Sequence, residues 1–266
     1  MEQLAHPAHL GAVDSSEAER TPLASSIDAA DSNWFRFVSR WALLPALTFV
    51  ALLAVFFPVI AAAGSVPMEY AELVAASHRP ALYRLAAVLD ILVWLGIGGT
   101  LVAFAAVFAR RAPIRATFLA VCGAGQVVGA LGGFLRLTAT TELAARYAAA
   151  APDAQAALAQ AYLTLGQTIG AHYSLGSALY GAGFLLIASV AFPLAGFPRW
   201  LAVWFALSGS WSLVAGGVSA AGSPALMAVF PLYAIAGIIA LHVAIAAVFW
   251  RRAPALVAAP PGSAAA

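Results

Sequence analysis

The sequence predicts an all-α, polytopic membrane protein built as a bundle of six transmembrane helices. Three observations carry that prediction. Of 266 residues, 63% are hydrophobic and only 9% charged, where soluble domains carry roughly a quarter charged. The apolar residues fall into six runs, each long enough for a hydrocarbon core that needs about 20 helical residues. The 13 basic residues are all arginine and sit mostly at the ends of those runs.

Residues 1–33 are polar, rich in Ala and Ser, and hold Glu2, Asp14, Glu17, Glu19, Asp28 and Asp31. The basic start and early apolar core of a cleaved signal peptide are missing, so the segment is expected to be a disordered cytoplasmic tail. The membrane domain then covers 34–252. It opens on Trp34, Phe35, Arg36, Phe37 and Arg40, an interfacial collar of aromatics and arginines. Span one runs about 41–62, with Pro45 in its first turn and Pro58 deeper. In 64–80, Pro67, Glu69 and Glu72 precede His78 and Arg79, the charge order of a short helix. An amphipathic helix on the membrane surface is expected there.

Span two, about 81–108, contains Asp90, and a turn with Arg110, Arg111 and Arg115 around Pro113 follows. Span three, about 116–135, carries Gly125, Gly129 and Gly133 at four-residue spacing, with Gln126 and the closing Arg136 on or beside the same side. A longer connection leads to about residue 160, within which Pro152 and Asp153 mark a helix start that could run straight into span four. Span four is about 162–192, span five 200–220 and span six 225–250, stopped by Arg251 and Arg252. A disordered tail, 253–266, is expected to finish the chain.

With the N-terminus inside, Arg36, Arg40, Arg110, Arg111, Arg115, Arg199, Arg251 and Arg252 face the cytoplasm, against Arg79, Arg84, Arg136 and Arg146 outside. That satisfies the positive-inside rule for an inner (plasma) membrane protein with both termini cytoplasmic. A formal charge of +2 argues against nucleic acid as a partner. The lone Cys122 excludes an intrachain disulfide and Cys-x-x-Cys metal sites, and no motif implies a cofactor.

An ionisable group within a span costs several kcal/mol, roughly 2.5–3.5 for Asp at mid-bilayer. Asp90 is therefore the most informative residue. Arg136 ends span three on the same outer side, and His172 lies in the outer part of span four on a stripe with Thr164 and Thr168. The expected candidate site is an outer-leaflet cluster of Asp90, Arg136 and His172 with Gln126 below it. It serves either as a ligand or proton site or as a structural ion pair. The glycines at 125, 129 and 133 permit close helix packing, with Gly166, Gly170 and Ser174 of span four as a facing groove.

Other chemistries fit poorly. Gly-Ala-Gly-Gln-Val-Val-Gly lacks the setting and ending of a phosphate loop. His172 and His242 differ in depth by roughly 18 Å at about 1.5 Å per residue, too far to share one haem iron. Ser177 lies in Leu-Gly-Ser-Ala-Leu, not the Gly-x-Ser-Gly of rhomboid proteases.

Three stretches carry a resemblance: Arg-Pro-Ala-Leu-Tyr-Arg-Leu-Ala-Ala-Val-Leu-Asp at 79–90, the run from Gln126 to Leu137, and Gly-Phe-Pro-Arg-Trp-Leu-Ala-Val-Trp-Phe-Ala-Leu-Ser-Gly at 196–209. They resemble a family of uncharacterised six-helix bacterial integral membrane proteins, a domain of unknown function, over about 40–250. The resemblance implies a membrane bundle and carries over no active site. Two functional classes stay open: a protein that binds, senses or passes a small solute through the outer cluster, or a structural or interaction subunit that meets itself or a membrane partner. An intramembrane enzyme ranks third, with no catalytic residue to name.

Overall fold

The computed structural model describes residues 16–61, 68–194, 197–220 and 234–257. Every regular element among them is helical. In order they are α1 (Ser16–Ala61), α2 (Met68–His78), α3 (Pro80–Phe108), α4 (Pro113–Gly125), α5 (Val127–Ala149), α6 (Pro152–Ala191) and α7 (Arg199–Ala220). A π-helical stretch, Ala234–Ala240, then leads into α8 (Leu241–Val257). Four stretches are long and apolar enough to cross a membrane: Trp34–Val59, Pro80–Phe108, Pro113–Ala149 and Pro152–Ala191.

Local sequence explains the helix starts. Pro80, Pro113 and Pro152 each open a helix, where the ring pre-sets φ and the missing N–H would be unsatisfied anyway. The third stretch is broken rather than continuous. At Gln126 the backbone N–H turns back to the Gly123 carbonyl at 3.2 Å, a tightened turn between α4 and α5. Gly123 and Gly125 weaken the helix at that point.

Several expectations need correction. The helix of span three does not end at residue 135: α5 runs on to Ala149, and after a tight turn α6 begins at Pro152, where a helix start was expected. Beyond Arg136 this hairpin extends about 20 Å at about 1.5 Å per residue. The Met68–His78 helix turns its apolar residues toward the protein. Its Leu73, Val74, Ala75 and Ala76 are buried against Val59 of α1, Tyr83 of α3, Ala144 of α5, and Ala159 and Tyr162 of α6. The apolar side follows the protein because the hairpin offers it a wall.

Residues 16–33 are helical, not a disordered tail. An alanine-rich segment joined to a formed helix adds hydrogen bonds without paying for nucleation. The C-terminal tail begins later than expected, since α8 reaches Val257. Residues 1–15, 258–266 and the start of the expected sixth span, 225–233, lie outside the described residues.

The main core lies at the opposite end from α2. Phe104 meets Phe205 and Phe249 edge to face at 5.5 and 5.1 Å. Phe35 stacks on Phe249 at 5.4 Å, and Phe197 joins them at 6.1 Å. This aromatic plate ties α1, α3, α7 and α8 together near Arg36, Arg40, Arg110 and Arg111. Deeper in, the Ser39 hydroxyl donates to the Ala246 carbonyl at 2.8 Å, a buried link from α1 to α8.

Candidate functional site: a polar junction under the helical hairpin

The junction is assembled from residues at helical spacing. On α3, Tyr83 and Asp90 are seven apart and share a face. On α6, Tyr162, Ile169 and Tyr173 share one through offsets of seven and eleven. On α5, Arg136 follows Gly133 by one turn. These faces meet where the hairpin leaves the bundle, and α2 closes over them.

Glu72 of α2 is the centre. Arg136 Nε donates to its Oε1, the Tyr83 hydroxyl donates to the same oxygen at 2.7 Å, and the Tyr162 hydroxyl donates to Oε2. One carboxylate therefore holds α3, α5 and α6. Burial opposes its ionisation, but the Arg136 charge and the donors outweigh that penalty and hold the Glu72 carboxyl below its usual range.

Arg136 is the second hub. Its guanidinium carbon lies 5.8 Å from the Phe56 ring centroid of α1, and its Nη1 stands 3.9 Å from Asp90 Oδ2. Arg136 is 22% exposed, Glu72 19% and Asp90 14%, so these charges interact through a largely dry region rather than open solvent. Asp90 also accepts from the Tyr173 hydroxyl and Trp94, and Trp94 stacks on Tyr173 at 5.6 Å.

Of the residues expected to form the outer cluster, the fold brings Asp90 beside Arg136 and places the other two elsewhere. His172 Nδ1 bonds the Thr168 carbonyl of its own helix at 2.8 Å. One residue on, a rotation of about 100°, Tyr173 takes the inward position. Gln126 is buried at the α4–α5 break, where its Nε2 donates to the Cys122 and Gly176 carbonyls at 3.3 and 3.2 Å.

The glycine expectations divide. Gly129 lies against the Trp94 indole, Gly133 against Ile91 and Asp90, and Gly125 against Leu179. All are contacts within the chain. The proposed facing groove is corrected: a side chain at Gly166 or Gly170 would meet nothing within 4 Å among the described residues. Gly176 faces Gly129 instead, since a Cβ there would lie 3.2 Å from the Gly129 Cα and 2.8 Å from Trp94. Gly166 and Gly170 are both exposed.

Glu72, Tyr83, Tyr162 and Tyr173 are absent from the sequence-level candidates. A signal existed: Leu73–Ala76 is an apolar run beside Glu72, and the tyrosines at 162 and 173 are eleven apart. Neither names its partner, because Glu72 and Tyr162 are separated by 90 positions.

The profile of the family described as Domain of unknown function (DUF4386) matches residues 41–250. No curated protein and no solved structure matches the chain.

Proposed function

The chain belongs to the DUF4386 family, and from that premise we propose a structural or interaction role for it within a membrane assembly, without enzymatic activity. In this reading the bundle has six spans, counting α7 and the segment that ends in α8 with the four long stretches. Both termini face the cytoplasm at the inner (plasma) membrane, by the arginine distribution. The polar junction is then a pin that fixes the extracytoplasmic hairpin to the bundle. The observation that carries this reading is the occupancy of Glu72. Both of its oxygens accept from donors on three helices, which fills three of the roughly four acceptor positions of a carboxylate.

A second reading rests on Asp90. One guanidinium faces two carboxylates, and at 3.9 Å it is beyond hydrogen-bond distance from Asp90. A small cationic solute would find there a carboxylate that accepts from the Tyr173 hydroxyl but has no charged hydrogen-bond donor. Thermal unfolding in detergent against a panel of small solutes separates the readings. The pin predicts that Arg136→Gln costs about 3 kcal/mol, as for a broken buried pair, and that no solute raises the melting temperature. A solute that stabilises the native chain but not Asp90→Asn would overturn the pin as the sole role.

A further inference from the structure

The opposite end of the bundle has a different charge pattern. Where side chains are described, the carboxylates Glu72, Asp90, Glu142 and Asp153 all belong to the end with the hairpin. The α3–α4 turn at the other end carries Arg110 and Arg111, both exposed, followed by Arg115 in the first turn of α4. Arg115 is held in place, with Nη1 donating to the Ser189 carbonyl near the end of α6 at 3.0 Å. From these arginines an apolar strip runs down α4: Ile114, Phe118 and Val121 are 73%, 59% and 60% exposed. Offsets of four and seven put them on one side of the helix. Phe192, at the end of α6, is also exposed.

We propose that this turn and strip bind an anionic phospholipid from the surrounding bilayer. The headgroup phosphate lies against Arg111 and Arg115, and an acyl chain lies along Ile114, Phe118 and Val121. Charge complementarity selects the anionic headgroup, because arginine forks bind phosphate oxygens in pairs. The strip selects a lipid over a soluble anion, because it begins where the arginines end and has no use for free phosphate. Basic clusters at a membrane surface attract anionic lipids in just this way. The inference stands apart from the role of the polar junction.

The test is native mass spectrometry of the full chain in detergent, with added phosphatidylglycerol or phosphatidylcholine of identical chains. Phosphatidylglycerol should be retained preferentially. Arg111→Gln with Arg115→Gln should weaken it by about fivefold for each charge removed, while Arg146→Gln at the far end leaves it unchanged. Phe118→Ala should weaken long-chain phosphatidylglycerol more than the dihexanoyl form. Equal retention of the two lipids, the result expected if acidic residues of 1–33 neutralise the turn, overturns the proposal. So does displacement of the lipid by excess inorganic phosphate, or full retention by the double variant.

Discussion

The two ends of this bundle close by different means. At the arginine-rich end, Phe35, Phe104, Phe197, Phe205 and Phe249 interlock with no buried charge among them. At the hairpin end, a short helix is docked by apolar residues around one carboxylate that accepts from Arg136, Tyr83 and Tyr162. The aromatic plate draws on many small dispersion contacts, and losing one leaves the rest intact. The carboxylate junction concentrates its stabilisation in two charges, so losing one leaves the other buried and unpaired. One end therefore draws its stability from packing; the other is specific and tied to ionisation.

The largest expected effect comes from breaking the plate. Phe104→Ala should cost about 3–5 kcal/mol, as for other buried aromatic truncations. Thermal unfolding in detergent should show the same loss at pH 7 and pH 5, because the ring contacts of Phe104 are all with other phenylalanines. A loss that changed with pH would blur the contrast between the ends.

Glu72→Ala should cost about 3 kcal/mol, toward the lower bound for a broken buried pair because both partners keep some exposure. The damage should be local. Hydrogen exchange should accelerate in α2 and in the hairpin parts of α5 and α6, while α1 and α8 at the plate stay protected. Unaltered exchange in α2 would show that the apolar contacts alone dock it.

The smallest effect is the response to acid. The Glu72 carboxyl is held low in the fold, so the folded state binds its proton less readily than the unfolded chain does. Its contribution is complete above the unfolded value, about 4.3, and is lost as pH falls below that through the folded value. The difference in melting temperature between the native chain and Glu72→Gln should thus be constant from pH 7 to about 5. It should shrink as the pH drops below about 4. A gap that persisted in acid would mean that hydrogen bonding rather than charge makes the junction.

Much of the fold was legible because it rests on local rules. The predicted second span at 81–108 differs by one residue from Pro80–Phe108, since Pro80 opens it and the arginine turn closes it. The hairpin was only half legible: Pro152 announced α6, but α5 continues past Arg136, where the span was expected to close. Asp90 stood out because a carboxylate in an apolar run is costly. Glu72 did not, because a carboxylate in a connecting segment is ordinary until α2 is seen folded over Tyr162. His172 drew attention as an imidazole within a span, yet one residue of helix phase gives the inward position to Tyr173.

The sequence by itself determined what short-range physics controls. Apolar length and sparse charge dictate membrane helices, proline and glycine dictate where they start and break, and arginines mark the ends. The tertiary structure decided which side chains meet. It brought Glu72 to Arg136 across 64 positions, set Gly129 against Trp94, and left Gly166 and Gly170 uncovered by any described residue. Helical periodicity fixes a face only relative to its own axis. The rotation of one helix against the next is settled when the whole bundle packs, and that rotation separates a tyrosine bonded to Asp90 from a histidine bonded to its own helix.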